Sequence, residues 1–305
     1  MDKSYVDTVR LMLEVAPDVF TSGRFAMKGG TALNFFVQDL PRLSVDIDVV
    51  FVPHQTPRDV ALAEIAAELS AIQDRLKNRG IKAEIANSKT GDETKILARR
   101  ERIEVKVEIN HVFRGTLLPV EVRPLVKSAS DLFTTSLSAP TLAVAELYGS
   151  KLVAAMDRQH PRDLFDVHGM FQRFGLTPEI VECFVGYIAG HNRPVHEVLG
   201  SRDIDLARPF GAEFAGMERE LVSLAELEDA RKRLRRELRA SLTVDHKRFL
   251  LGLVAGVPPW ETMRCRYLAE LPAIQWKMQN LARLKKSNPA KFQAQSDELK
   301  RCFES

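Results

Sequence analysis

The stretch Lys28-Gly29-Gly30-Thr31-Ala32-Leu33, followed after a short helical run by Arg42-Leu43-Ser44-Val45-Asp46-Ile47-Asp48-Val49-Val50-Phe51, decides how the chain is read. Two glycines open a turn, Thr31 can cap the helical run, and the chain returns as an apolar strand interrupted by two acids. Successive strand side chains point to opposite faces, so Asp46 and Asp48 share one face while Val45, Ile47 and Val49 fill the other. Aspartate has poor β-propensity, and an unpaired carboxylate is costly to bury. A cation is therefore expected against that face, and a divalent metal is the simplest one.

Composition frames the rest. The chain has 305 residues, 45% of them hydrophobic, enough for two domains and a substantial core. It contains no run of about eighteen apolar residues, so no transmembrane helix or membrane partner is expected. The opening residues, with Asp2 and Glu14 in a broken apolar pattern, do not read as a signal peptide. Cys183, Cys265 and Cys302 are scattered and lack metal-ligand spacing, which fits a reducing cytoplasm. A net charge of +3 is too small to imply nucleic acid by itself.

Periodicity predicts helices over 3–17, ended by Pro17, and over 31–37 and 57–78. Strands are expected over 25–27, 45–52, 81–85, 94–98 and 102–109, with a weaker one at 118–122 and a Gly91-Asp92 turn signal. This part reads as α+β, helices packed on a small antiparallel or mixed sheet. After about residue 125 the strand signals stop, and helices are expected over 140–157, 162–173, 177–189, 217–240, 244–255, 263–285 and 289–303. The expected division is 1–125 for the core and 126–305 for a helical domain. That second domain carries the strongest charge feature, Arg231, Lys232, Arg233, Arg235, Arg236 and Arg239, with Lys285, Lys286 and Lys291 further on. Such a run is either a solvated helix face or an RNA-binding surface.

A third acid would complete a metal site. In 102–110 the even positions Arg102, Glu104, Lys106 and Glu108 share one face, and Glu108 is the best candidate with Glu104 the substitute. Three carboxylates can hold one or two Mg²⁺ ions, which prefer oxygen ligands and bind phosphate oxygens. The Gly29-Gly30-Thr31 turn adds backbone N–H donors at a helix start for phosphates, although its spacing is neither a P-loop nor a dinucleotide fingerprint. Glu146 and Lys151 sit in an otherwise apolar helix, where isolated charges are expensive unless they pair or face a cleft. Lys151 suits nucleotide phosphates as a compact point charge. Asp163 and Asp166, three apart after Pro161-Arg162, can accept a proton from an attacking hydroxyl or hold the lysine in place, and Asp163 can equally be a helix-start residue.

Taken together and in order, Gly29-Gly30-Thr31-Ala32-Leu33, Arg42 to Asp48, Lys106-Val107-Glu108, Glu146 with Lys151, and Arg162-Asp163 with Asp166 resemble the AbiEii/AbiGii (MenT-like) nucleotidyltransferase toxins over roughly residues 24–170. The resemblance implies a polymerase-β-like nucleotidyltransferase core followed by a helical domain. It implies Mg²⁺-dependent transfer of a nucleotide from an NTP, in several members to the tRNA 3′ end, which blocks translation. It also implies a separately encoded antitoxin partner. By this carry-over Asp46 and Asp48 are metal ligands with Glu108 beside them, Lys151 contacts the nucleotide, and Asp163 or Asp166 is the second catalytic acid. The nucleotide-binding set is Lys28, Gly29, Gly30, Thr31, Ser44, Lys151 and Arg162. Many relatives have Gly-Ser where this chain has Gly29-Gly30, so Thr31 is expected to supply the hydroxyl. Two other readings stand beside this one: a transferase acting on a small molecule or a protein, and a non-catalytic binding module, against which the intact acids argue.

Overall fold

In the computed structural model, which describes residues 2–87 and 93–304, the acidic stretch is an inner strand of a seven-stranded mixed sheet. The strands are β1 (Phe25–Lys28), β2 (Asp46–Phe51), β3 (Lys82–Asn87), β4 (Glu93–Arg100), β5 (Ile103–Asn110), β6 (Glu121–Pro124) and β7 (Ser138–Thr141). Their order is β3-β4-β5-β2-β1-β7-β6. β2 pairs antiparallel with β1 and parallel with β5, and β1 pairs parallel with β7. The alternation read from the sequence holds: Ile47, Val49, Val105, Val107 and Ile109 are fully buried, while Asp46, Asp48 and Glu108 are half-buried on the other face.

The helices are α1 (Lys3–Val19), α2 (Gly29–Phe36), α3 (Arg58–Asn78), α4 (Lys127–Phe133), α5 (Val144–Asp157), α6 (Pro161–Arg173) and α7 (Pro178–Ala189). They continue as α8 (Val195–Leu199), α9 (Ala207–Glu213), α10 (Leu224–Ser241), α11 (Val244–Ala255), α12 (Pro272–Ser287) and α13 (Pro289–Glu304). The residues form two compact units, 1–147 with 214–221, and 148–213 with 222–305. In the first, α1 packs on β5 and α3, α2 on β1 and β2, and α3 on β3. In the second, α10 packs on α6, α11 on α7 and α13, and α12 on α13.

Several expectations need correction. Strand structure does not stop near 125: β7 lies at 138–141 and displaces the start of the helix expected at 140 to Val144. Pro140 hides this strand, since proline lacks the ladder donor. Its pairing with β1 is taken up just beyond the proline, at Thr141 opposite Met27, and the Leu142 N–H donates to the Met27 carbonyl at 3.0 Å. The weak strand expected at 118–122 begins only at Glu121, because the Leu117 and Leu118 N–H groups donate to the Glu146 carboxylate at 2.7 and 3.0 Å. Pro17 lies inside α1: in the last turn a missing N–H removes one bond, and the Pro17 carbonyl still accepts the Phe20 N–H at 3.4 Å. The helix expected from 217 begins at Leu224, where Ser223 and Glu226 form a reciprocal capping box. Residues before it turn back to the first unit, with the Leu43 N–H on the Met217 carbonyl and the Arg219 N–H on the Pro41 carbonyl, both at 2.8 Å. The helix expected from 263 begins at Pro272, a first-turn proline. α4, α8 and α9 are further additions. The Gly91-Asp92 turn lies outside the described residues.

Gly149 shows how tightly the second unit is packed. A Cβ added there would lie 2.5 Å from Cys183 Cβ and 2.7 Å from the Phe184 nitrogen, so α5 and α7 meet through a missing side chain. Alanine normally stabilises a helix interior by about 1 kcal/mol relative to glycine. Gly149→Ala is predicted to reverse that sign and destabilise by about 1–3 kcal/mol, read as a lower urea midpoint; a midpoint at or above the parent's would contradict this packing.

Candidate active site

The turn between β1 and α2 is built around an absence of side chains. Gly29 has φ +72°, in the left-handed region, and a Cβ on it would collide with the Asp48 carboxylate. A Cβ on Gly30 would lie 2.7 Å from Arg42 Nη2 and 3.0 Å from Ser44 Oγ. Antiparallel pairing sets Lys28 opposite Asp48, so α2 begins directly beside that acid. Thr31 is 1% exposed; its hydroxyl donates to the Asp46 carbonyl and lies 3.0 Å from Ser44 Oγ. That hydroxyl fastens α2 to the first residue of the acidic strand. Arg42, which no metal or phosphate argument from the sequence singled out, is 2% exposed and donates from Nη1 to the Leu43 carbonyl at 2.9 Å.

Parallel register places Asp46 opposite Lys106 and Asp48 opposite Glu108 on the neighbouring strand. Lys95 of β4 stands on the far side of Glu108 and binds its carboxylate at 2.7 Å, which offsets the two like charges facing each other. The Glu108 hydrogen bond raises the pKa of Lys95 above the usual ammonium range, the largest of the effects on it. Glu104 is instead held by Arg99 at 2.6 Å. Among the described residues no three carboxylate, histidine or cysteine side chains are gathered closely enough to enclose an ion. The two aspartates nevertheless fit Mg²⁺: it is often held by one or two carboxylates, its other positions going to water and substrate phosphates. Glu93 belongs to the same face, and its place next to the Gly91-Asp92 turn signal gives it no mark in the sequence. Burial, then the charge of Glu108, pushes its carboxyl up against the pull of Lys95, and Asp48 adds to the rise.

In the second unit Lys151, Asp163 and Asp166 form one buried cluster. Lys151 Nζ lies 2.9 Å from Asp163 Oδ1 and 3.0 Å from Asp166 Oδ2, with all three residues at most 6% exposed. Arg158 adds donors to both Asp163 oxygens at 2.5 and 2.9 Å. Burial alone would raise the Asp163 pKa, but Lys151 and Arg158 outweigh it and hold the carboxyl well below the usual range. The Arg162 N–H donates to His160 Nδ1 at 3.1 Å, which caps α6. Glu146 and Lys151 thus serve different neighbours, as their five-residue separation implies.

The basic run on α10 divides by role. Arg231, 5% exposed, donates to the Gln159 side chain and the Ile204 carbonyl at 3.2 and 2.8 Å. Arg235 pairs with Asp203, and Arg239 donates to the Leu199 carbonyl at 3.0 Å. Arg233 lies over the Phe171 ring at 4.2 Å and bonds Glu237 at 2.7 Å. Lys232 and Arg236 remain the most exposed. With Arg235, Arg239 and Lys247 they line an open groove of about 720 Å³ that has no acidic side chain in its wall.

A family model for the nucleotidyl transferase AbiEii toxin, of a type IV toxin–antitoxin system, matches residues 10–280. The chain belongs to the AbiEii family. Among solved structures it is similar to MenT4, a nucleotidyltransferase toxin from Mycobacterium tuberculosis H37Rv, at 17% identity, covering 92% of this chain and 95% of that one with a TM-score of 0.62. No curated protein matches it by sequence. This AbiEii chain is accordingly a nucleotidyltransferase with an NTP as substrate and an antitoxin as partner, and its α+β fold is that of the MenT toxin. Among the described residues no helix is long and apolar enough to cross a membrane.

The buried cluster of this AbiEii chain makes a pH-dependent prediction. Asp163 has a folded pKa below its unfolded value of about 3.9, so its stabilisation is present above that value and lost as pH falls through the folded one. Asp163→Asn should cost about 3 kcal/mol at pH 7 in urea unfolding, with the gap to the parent narrowing below about pH 4. A gap that stays constant from pH 7 to pH 3 would contradict the ion-paired assignment.

Proposed function

We propose that this protein transfers a nucleotide from an NTP to the 3′ end of an RNA, a tRNA being the acceptor, and that it does so with Mg²⁺ in the cytoplasm, blocking translation. The observation that supports this most is the pair Asp46 and Asp48 on one strand face, with a glycine-opened helix start packed against Asp48. Bound there, Mg²⁺ would supply charge neutralisation for the phosphates and for the departing pyrophosphate. Asp46 and Asp48 are its proposed ligands, and Glu108 is preferred to Glu104 as a third because it stands opposite Asp48 in the register.

The chain's own groups do the positioning. Lys28 and the N–H groups of Gly29 and Gly30 are the proposed phosphate contacts, at a helix start whose dipole favours anions. Thr31 acts on that site by anchoring Asp46, and Ser44 acts through its hydrogen bond with Thr31. Arg42 is added as a positioning residue beneath Gly30. In the second unit Lys151 is the proposed nucleotide contact. Asp163 and Asp166 keep its ammonium oriented, either of them being the second acid, and Arg162 is proposed as a further nucleotide contact. The transfer itself forms a bond from an acceptor hydroxyl oxygen to the α-phosphorus and breaks the bond to pyrophosphate, which leaves with the electron pair, while the hydroxyl proton is released to water. For RNA, the groove with Lys232 and Arg236 at its mouth is the proposed backbone contact, while Arg231, Arg233, Arg235 and Arg239 shape the helix that carries it.

Purified protein incubated with each labelled NTP, Mg²⁺ and total RNA should label the tRNA band, and sequencing should find the addition at the 3′ end. Asp48→Asn should lower that labelling about a hundred- to a thousandfold, the scale on which removing a main charge-stabilising group acts. No label with any NTP, or label confined to a small molecule or to protein, would overturn the RNA reading.

A further inference from the structure

A second cavity, in the unit made of residues 148–213 and 222–305, shares only Lys291 with the features discussed so far. It measures about 200 Å³ and is bounded by the 190–194 loop, α12 and α13. Its lining combines an exposed indole, several side-chain amides and lysines. Trp276 is 42% exposed and lines this cavity, so part of its indole is open to a guest. Asn192 and Asn280 are exposed and Gln295 is buried, so donor and acceptor edges enter the same space. Lys277 is buried and donates to the carbonyls of His191 and Arg193, both at 2.8 Å, which fixes the loop carrying Asn192 against α12. Lys291 stands in the wall as a second cation, and the wall contains no carboxylate. The Arg283 guanidinium lies 5.7 Å from the Trp276 ring centroid, which leaves the indole held but not enclosed.

We propose that this cavity takes a single unpaired nucleobase, stacked against Trp276 and read at its edge by Asn192, Asn280 and Gln295. The volume decides the size of the guest. Sites for whole drug-sized ligands run from about 300 to 1,000 Å³, so this one holds one ring system and not a complete nucleoside triphosphate. The chemistry decides its class. Every base offers a π-face to an aromatic side chain, and carboxamides match the paired donor and acceptor of a base edge. Lysine at the rim meets the phosphate that accompanies either a free nucleotide or a base within an RNA strand. The proposal rests on the nucleic-acid reading above and assigns it a base-recognising pocket remote in sequence from the acidic strand.

Tryptophan fluorescence tests it, because the chain has only two tryptophans, Trp260 and Trp276. Titration with the four nucleoside monophosphates, and separately with a short single-stranded RNA of mixed sequence, should quench emission saturably. The quenching should vanish in Trp276→Phe, whose remaining Trp260 emission reports the fold. Asn280→Ala should weaken the binding about tenfold, and Asp48→Asn should leave it unchanged even where nucleotide transfer is lost, so the two readings fail separately. Quenching by both ligands identifies the base alone as sufficient; quenching by RNA alone identifies a base within a strand. No saturable quenching by either, or quenching indifferent to both Asn192→Ala and Asn280→Ala, overturns the proposal.

Discussion

One close approach governs the first unit: the Cα of Gly29 against the carboxylate of Asp48, in space that no side chain can share. It forces a glycine with positive φ at the head of α2 and sets that helix start beside an acid. The neighbouring contacts serve the same end. Thr31 ties α2 to the Asp46 carbonyl, and Gly30 makes room for the buried Arg42 and for Ser44. Because β2 is flanked by β1 and β5, the position of the two aspartates is also fixed by ladders on both sides, and sheet register carries that order out to Glu108 and Lys95.

Charge is handled differently in the two units, and the difference bears on function. On the sheet face the acids stay half-exposed, with Lys95 bound to Glu108 and Lys28 and Lys106 opposite the two aspartates in the register, an arrangement that a bound divalent cation can complete. In the second unit Lys151 and two aspartates are almost fully desolvated, with Arg158 as a further donor. Such a cluster is weak evidence for stability, since removing ions from water costs several kcal/mol each, and strong evidence for a demand on position. Glu146 solves its own burial with backbone N–H groups. The arginines of α10 largely spend their donors on the 199–204 segment, so a basic run in the sequence is mostly structural here and only its outer residues define the groove.

Much of this was legible in the residues, and what was missed has physical causes. The period-two pattern of 45–52 and 102–109 gave the strands and their faces, because one face is buried and register errors would turn every side chain over. The five-residue spacing of Glu146 and Lys151 correctly implied separate partners. β7 is hidden by Pro140, whose effect on a four-residue strand cannot be seen without knowing that the pairing with β1 starts only beyond it. Residues 217–221 fall within the expected helix, yet they return to pair near Pro41 and Leu43, a long-range contact that local propensity does not encode. The Ser223–Glu226 capping signal was present and would have moved the start of α10. Glu93 carries no signal in the sequence and Arg42 enters only as part of a motif, because their importance lies in cross-strand and through-space neighbours, not in their own surroundings in the chain.

The central claim is that Asp46 and Asp48 hold the ion on which nucleotide transfer depends. A crystal structure with Mn²⁺ and a non-hydrolysable NTP analogue tests it most directly, read by the anomalous signal of the metal. The account predicts a peak coordinated by the carboxylates of Asp46 and Asp48, with analogue phosphate oxygens in its remaining positions. A peak elsewhere, or an ordered analogue whose phosphates and metal do not touch either aspartate, would contradict it.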